Sequence, residues 1–385
     1  MTTSTADIKR QIHDKGKLAW GGWHRFWFTV SPAYTLGLVR IIFGLLVITW
    51  TLELKTNFDV RFGSQGVVPR AYDRPWTWSV FDFAPSDSAL LAGWVVLLIA
   101  AIALTIGWQS RIAAIVVLVL IMSFERRNPW VFNAGDMLLR IEAIMIALAP
   151  CGAALSVDQW RRSGSFFSSR DCKLWALRLM QVQVSIIYIS TVIAKLRGET
   201  WQNGTSVLYS LRQADMLVMQ VPDWFTNNLL IMNMVTWSTL VVEFAIGVLV
   251  WNRRCRPWVL AAGVMLHLGI SMTLEVGLFS AAIFVLYLTF LPSSRVKAGA
   301  DWLQSQSRQL SRRWQRRDRK PLVSSKAKPK VVEDSPQALP VPTATDIDPL
   351  PGQLPPMQAS SEHDNPPLGW LARRREELRE KANSN

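Results

Sequence analysis

Several residue types that would indicate other classes of protein are scarce in this chain of 385 residues. Three cysteines, Cys151, Cys172 and Cys255, are too few for a disulfide framework, and we expect free thiols. The four histidines include no His-x-x-x-His pair and no spacing with cysteine or carboxylate that predicts a metal site. Nucleotide-binding glycine loops and the Gly-x-Ser-x-Gly turn are also missing. The sequence therefore gives no sign of a metal-dependent, nucleotide-binding or serine-hydrolase site.

Apolar residues are abundant instead, at 50% of the chain, and they form long blocks separated by short charged links. A helix that crosses the hydrocarbon of a bilayer needs roughly 20 such residues. The blocks predict an all-α, polytopic membrane helical bundle. Its eight predicted spans are residues 34–54, 88–108, 111–124, 134–157, 175–196, 227–251, 257–275 and 277–292.

The orientation of the bundle follows from lysine and arginine, which favour cytoplasmic links. If the spans alternate, the basic N-terminal segment, residues 161–173, residues 253–256 and everything after residue 295 fall on one side. Both termini are therefore predicted to be cytoplasmic, in a multi-pass protein of the cell membrane. The opposite loops carry mixed charge and tryptophan, and we expect them on the extracytoplasmic side.

Three regions are predicted along the chain. Residues 1–30 form a cytoplasmic or interfacial segment, residues 31–293 the transmembrane domain, and residues 294–385 a basic, Pro-rich tail that we expect to be disordered. Its first part, residues 295–330, carries twelve lysines and arginines against two acids, a net charge of +10 beside +14 for the whole chain. We expect its basic residues to contact anionic lipid, at about 1 kcal/mol each near the surface, and not nucleic acid.

Two ionisable residues in the apolar blocks are the first candidates for function. At 1.5 Å per helical residue, Lys195 lies about 33 Å past Lys173, at the outer boundary of the hydrocarbon. His267 lies about 16 Å past Arg256, near the middle of the membrane. An ionisable group in the hydrocarbon is costly, so function is the default interpretation. Lys195 could instead extend its ammonium to the interface, and His267 could be a hydrogen-bonded structural imidazole.

Other charged residues gather mostly in the outer half of the predicted bundle. Asp136 and Arg140 are four residues apart, which predicts an ion pair on one face of a helix. Glu243 lies deep in the sixth span, Glu275 at the outer end of the seventh, and Arg40 near the inner end of the first. The distribution predicts a polar cavity that opens to the extracytoplasmic side.

A series of short motifs runs in order through the second half of the chain. It comprises the run from Tyr188 through Lys195 to Leu196, then Trp201 and Gly204, a span with a glutamate, His267, and a Gly-Leu-Phe-Ser sequence that begins at Gly277. This series resembles the HTTM (horizontally transferred transmembrane) domain. That domain is the membrane portion of vitamin K-dependent gamma-glutamyl carboxylases and of compact bacterial relatives. The resemblance covers roughly residues 25–292.

The resemblance implies a reaction. The lysine that matches Lys195 is the base that deprotonates reduced vitamin K, the quinol reacts with oxygen, and the product of that reaction removes a proton from a glutamate to which carbon dioxide adds. His267 matches a histidine expected to polarise the quinone oxygen. Burial agrees with this chemistry, because it favours a neutral amine. Lys195 and His267 are thus the predicted catalytic residues, and the predicted substrate or quinone contacts are Tyr188, Trp201, Asp136, Arg140, Glu243 and Glu275.

The implied cofactor is reduced vitamin K or menaquinone, without a metal, and a peptide or protein substrate would approach from the extracytoplasmic side. Pro129 stands where the carboxylases carry a histidine, and no counterpart of their large lumenal domain follows the spans. A quinol epoxidase or a carboxylase of a small substrate therefore remains open. The alternative is a non-catalytic membrane factor for the maturation, export or immunity of a secreted peptide. A base requires lysine, whereas a docking cation tolerates arginine.

Overall fold

A computed structural model describes residues 5–68 and 78–318, and these residues are mainly helical. The helices and strands within these ranges are α1 (Thr5–Phe28), β1 (Val30–Pro32), α2 (Tyr34–Leu54), α3 (Phe58–Phe62), α4 (Asp87–Ile106), α5 (Ser110–Arg127), α6 (Ala134–Leu148), α7 (Val157–Ser163), β2 (Asp171–Lys173), α8 (Trp175–Leu196), α9 (Glu199–Gln202), α10 (Ser206–Ser210), α11 (Asp223–Thr226), α12 (Leu229–Leu249), α13 (Arg256–Thr273), α14 (Phe279–Leu288) and α15 (Ser293–Asp318).

Four helices, α2, α4, α8 and α12, are long and apolar enough to cross a membrane. Helices α14 and α15, which meet at an angle of 99°, add a fifth span if they count as one. The structure therefore indicates a multi-pass membrane protein that is mainly helical, with a short antiparallel pair of strands, β1 and β2. Helices α5, α6 and α13 occupy three more predicted positions, with 18, 15 and 18 residues. The count of eight spans and the cytoplasmic termini stay predictions.

The fourth predicted span, residues 134–157, is wrong beyond Leu148, where α6 ends. Pro150 explains the end, because proline has no N–H to continue a helix and forces the preceding residue into an extended conformation. Ala149 is extended, at φ −79° and ψ 149°. The chain then makes a 3₁₀ turn, and Ser156 caps the start of α7 by accepting a hydrogen bond from the Gln159 N–H.

The predicted disordered tail is wrong over its first part, because residues 293–318 form α15. Val296 and Ala300 of this helix pack against Ala33 and Tyr34 at the start of α2. Apolar residues one turn apart allow a helix to bury one face, although the segment is strongly basic. The remainder of the tail, residues 319–385, lies outside the described residues.

Helix α2 is central to the bundle, with 61% of its apolar stretch buried against 33% or less for α4, α8 and α12. It packs against α4, α6 and α14, while α8 packs against α12. Gly44 permits a close approach of α2 to α4, since a Cβ there would lie 2.9 Å from the Thr105 Cα. Helices α8, α12, α13 and α14 surround the candidate site described below.

Arg40 is completely buried in α2 and binds backbone carbonyls. Its guanidinium donates to the carbonyl oxygens of Leu155 at 2.5 Å, Cys151 at 3.2 Å and Thr105 at 3.4 Å. Arginine has five donors, so one side chain can satisfy several carbonyls at the turn that Pro150 creates. Arg40 therefore fastens α2 to the link between α6 and α7 and has a structural role.

Asp158 of α7 holds the start of α5. Its carboxylate accepts hydrogen bonds from the Gln109 N–H, the Ser110 N–H and the Ser110 hydroxyl at 2.7–2.8 Å. Burial acts to raise the pKa of Asp158, but the hydrogen bonds from Ser110 and Gln109 outweigh it and hold the pKa below its usual range. The first N–H groups of a helix lack partners within it, so this contact stabilises α5.

Candidate functional site

Lys195, in the last turn of α8, is paired with Glu243 of α12. The Lys195 Nζ donates to the Glu243 Oε1 at 2.5 Å. The same Nζ lies 4.6 Å from the centroid of the Trp201 ring, within range of a cation–π interaction. The Glu243 side chain is buried and that of Lys195 is mostly so. The ammonium is therefore held between a carboxylate and a ring.

A second polar group lies two helical turns away on the same face of α8, where Tyr188 precedes Lys195 by seven residues. The Tyr188 hydroxyl lies 2.7 Å from the His267 Nε2 of α13. It also hydrogen-bonds to the Tyr287 hydroxyl of α14. All three side chains are buried. They form a tyrosine–histidine chain, Tyr287–Tyr188–His267, that joins three helices.

Gly263 makes this chain possible. It lies one turn before His267 on the buried face of α13. A Cβ at this position would lie 2.3 Å from the Tyr287 hydroxyl oxygen and 2.8 Å from the Ile246 Cδ1. Real Cβ atoms do not approach other atoms so closely, so a larger residue here would displace Tyr287 and Ile246, and glycine allows α13 to pack closely against α12 and α14.

The direction of hydrogen bonding in the chain assigns the His267 tautomer. If Tyr287 donates to Tyr188 and Tyr188 donates to the Nε2, both hydroxyl protons are used. In the opposite direction, the Tyr287 proton has no acceptor within the described residues. The first direction puts the imidazole proton on the Nδ1 of His267. This atom is buried, and the described part of the chain offers it no partner.

The Glu243 Oε2 is a second buried atom without a partner in the described ranges. Leaving such an atom unpaired costs about 1–3 kcal/mol. Lys195 is close enough to interact electrostatically with His267, and Glu243 with Tyr188 and Tyr287, so the ion pair and the chain form one site. The site thus has a free acceptor, Oε2, and a free donor, Nδ1. It fits a ligand with one oxygen that donates a hydrogen bond and another that accepts one.

The predicted ion pair between Asp136 and Arg140 is wrong. Arg140 donates instead to the Glu125 Oε2 of α5 at 2.5 Å. The Asp136 carboxylate accepts from the Trp50 indole N–H and from the Asn133 N–H, both at 2.6 Å. Asp136 is the third residue of α6 and completes a capping box with Asn133, which turns its carboxylate back to the helix start and away from Arg140.

The structure brings together five of the eight predicted site residues: Lys195, Glu243, Trp201, Tyr188 and His267. The other three, Asp136, Arg140 and Glu275, make no hydrogen bond or ion pair with these five. Glu275 is exposed beyond the end of α13, and its backbone N–H donates to the Met216 carbonyl oxygen. That the three contact substrate or quinone stays a prediction.

Sequence reasoning missed Tyr287, Gly263 and Glu125. Tyr287 carries a hydroxyl inside the last apolar block, which is the same kind of signal that identified His267. Gly263 gave no usable signal, because many glycines in membrane helices have no close neighbour. Glu125 was assigned to a loop, whereas α5 extends to Arg127 and buries it.

No group of three or more histidine, cysteine, aspartate or glutamate side chains suited to a metal ion occurs in the part of the chain that the structure describes. Cys151, Cys172 and Cys255 are free thiols. The side chains that carry chemistry at this site are therefore those of lysine, glutamate, histidine and tyrosine.

A family model for the HTTM domain matches residues 28–295, well over half of the chain. The chain belongs to the HTTM domain family. This is the family of the membrane part of vitamin K-dependent carboxylases, so the resemblance seen in the sequence is confirmed. The matched range contains α2 to α14 and with them every residue of the candidate site. No curated protein and no solved structure matches the chain.

Proposed function

We propose that this HTTM protein is a vitamin K-dependent gamma-carboxylase-like enzyme of the cell membrane, in which Lys195 is the base that activates a reduced quinone toward oxygen. The observation that carries the proposal is the burial of Lys195 against Glu243, next to the tyrosine–histidine chain. Family membership supports the reaction class. In this proposal Asp136 and Arg140 are structural, because Trp50 and Glu125 already engage them.

The residues fit a hydroquinone such as reduced vitamin K or menaquinol. Such a molecule has a phenolic hydroxyl that needs an acceptor and a second oxygen that accepts from a donor. At this site the Glu243 Oε2 and the His267 Nδ1 are buried and find no partner among the described residues. When bound, the quinol supplies the reducing power for the reaction with oxygen, which leads to epoxide and drives carboxylation.

The surroundings suit a strong base. Tyr188 and Tyr287 hold His267 in one tautomer, and Trp201 covers the Lys195 ammonium. Apolar helices exclude water, which strengthens the electrostatic interactions of Lys195 and protects a base from being quenched. A lipid-soluble quinol has access from the bilayer, and a peptide or protein acceptor approaches from the extracytoplasmic end of α8. The basic tail holds anionic lipid on the other side.

The experiment uses purified protein in lipid nanodiscs with vitamin K hydroquinone or menaquinol and oxygen, and mass spectrometry detects the quinone epoxide. We expect epoxide from the wild type and a loss of about 100-fold or more in Lys195→Ala and Lys195→Arg, as for removal of a general base. Lys55 is the matched control, since its Nζ lies over the Phe58 and Trp94 rings and pairs with no carboxylate of the described residues. Lys55→Ala keeps full activity. No epoxide from the wild type would overturn the proposal.

A second function is favoured by one observation: the Lys195 charge is already satisfied by Glu243 and Trp201, as in a clamp between two helices. In this function the protein is a non-catalytic factor for the maturation, export or immunity of a secreted peptide. Arginine would then replace Lys195 without loss, and added quinol would change nothing. The Lys195→Arg variant therefore separates the two functions.

A further inference from the structure

Glu243 stabilises the form of Lys195 that cannot act as a base. A carboxylate at 2.5 Å from an amine favours the ammonium, which has no lone pair to accept a proton. A neutral Lys195 beside an ionised Glu243 would also leave a net negative charge in an apolar site, which is costly. The proposed function requires a neutral Lys195. A neutral Lys195 can keep its contact with Glu243 if the proton that the two side chains share lies on Glu243.

The neutral form of the pair is an amine that faces a carboxylic acid. Its two side chains keep the same hydrogen bond, with the Glu243 Oε1 now the donor and the Lys195 Nζ the acceptor. Both groups are uncharged, so neither pays the cost of a charge in low dielectric. In this form the Oε1 carries a proton toward Lys195, and the Oε2 is a free acceptor.

Glu243 also lies at the junction of the two parts of the site. Its Oε1 contacts Lys195, and its carboxylate interacts electrostatically with Tyr188 and Tyr287. The Oε2 is buried, and the residues that the structure describes provide it with no hydrogen bond. Of the two groups in the pair, Glu243 is therefore the one with an unused atom, while Lys195 is enclosed by Glu243 and Trp201.

We propose that Glu243 is a proton relay between a phenolic hydroxyl and Lys195. The Glu243 Oε2 receives the phenolic proton while the proton on the Oε1 passes to the Lys195 Nζ. One O–H bond breaks on the ligand and one forms at the Oε2, and one O–H bond breaks at the Oε1 while one N–H bond forms. The electron pair stays on the ligand oxygen, and no oxidant or further reactant takes part. The net charge of the site stays zero throughout.

This inference rests on the proposed function but predicts a different variant phenotype. If Lys195 took the proton directly, removal of the Glu243 charge would favour the neutral amine and leave activity equal or higher. A relay needs a carboxyl that exchanges one proton for another at its two oxygens, and an amide cannot do so. Glu243→Gln therefore separates the relay from direct transfer.

The first measurement is infrared difference spectroscopy of anaerobic protein in nanodiscs, before and after addition of vitamin K hydroquinone. We expect a protonated carboxyl C=O band that shifts on addition of the hydroquinone and is missing in Glu243→Gln. Glu125→Gln is the matched control, because Glu125 is a buried carboxylate of the other ion pair. A Glu243 that shows carboxylate bands only, with and without hydroquinone, would overturn the relay.

The second measurement is epoxide formation with oxygen by the same proteins. We expect Glu243→Gln to lose about 100-fold, and Glu125→Gln to match the wild type. If Glu243→Gln does not fold, Glu243→Asp takes its place. Aspartate keeps a carboxyl band in the infrared spectrum, but its side chain is one methylene shorter, so we expect the variant to lose most of the activity. Epoxide from the wild type and equally from Glu243→Gln and Glu243→Asp would overturn the relay alone. No epoxide from the wild type would overturn the proposed function.

Discussion

Among the described residues, two partly buried ion pairs look alike by geometry, Lys195–Glu243 and Arg140–Glu125. Each has an N–O distance of 2.5 Å. The carboxylates are 8% and 6% exposed, and the cations 21% and 30%. Each carboxylate also has one buried oxygen without a partner in the described residues. Distance, burial and an unpaired oxygen therefore do not distinguish a functional pair from a structural one.

The difference lies in the cation and its neighbours. Lysine can lose its proton in a buried site, whereas arginine stays charged. Lys195–Glu243 lies near His267, Tyr188 and Tyr287, a hydrogen-bonded chain of side chains of the kind that can exchange protons. Arg140–Glu125 joins neighbouring helices, α5 and α6, without such a chain in the described residues. Whether a buried ion pair can carry out chemistry therefore depends on which of its groups can exchange a proton.

Replacing the cation of each pair by the other kind should separate the two pairs most clearly. Lys195→Arg keeps an ion pair but removes the amine, and we expect quinol epoxide formation to fall by about 10²–10⁴-fold. Arg140→Lys keeps the other pair, and we expect unchanged epoxide formation. Mass spectrometry of the epoxide in nanodiscs measures both. Activity lost equally in the two variants would mean that the pairs do not differ in the way we describe.

Gly263→Ala tests whether the tyrosine–histidine chain sets Lys195–Glu243 apart. The added Cβ would meet the Tyr287 hydroxyl at 2.3 Å, and we expect overpacking to lower the free energy of unfolding by about 1–3 kcal/mol. Epoxide formation should fall as well. Gly269 of the same helix has no atom within 4 Å of an added Cβ, so Gly269→Ala is the matched control and gains roughly 0.5–1 kcal/mol. Equal thermal midpoints for the two variants would contradict the account.

Asp158 differs from both buried pairs, because each of its carboxylate oxygens accepts a hydrogen bond. Of the changes considered, its replacement should have the smallest effect. We expect Asp158→Ala to lower the free energy of unfolding by about 1 kcal/mol at neutral pH. The folded-state pKa of Asp158 lies below its unfolded value, so the stabilisation is complete above about pH 4 and is lost as the pH falls through the folded-state pKa. Melting curves of both proteins against pH measure this; a difference that grows in acid would contradict the assignment.

Much of the architecture could be predicted from the sequence, because apolar blocks separated by charged links identify helices in membranes. Lys195, His267 and Glu243 stood out for the same reason, as ionisable groups where they are costly. The partners could not be predicted. The spacing of Asp136 and Arg140 indicated an ion pair between them. In the structure Asp136 instead caps the start of α6, and Arg140 pairs with Glu125. Contacts such as Tyr188 with Tyr287 join residues 99 positions apart, which no local pattern reveals.

A reaction with isotopically labelled oxygen gas tests whether Lys195 is the base of a quinol oxygenation. Wild-type protein and Lys195→Arg are each incubated in nanodiscs with vitamin K hydroquinone, and the label in the quinone epoxide is measured by mass spectrometry. The account predicts labelled epoxide from the wild type and almost none from Lys195→Arg. Equal labelled epoxide from both proteins, or none from the wild type, would contradict it.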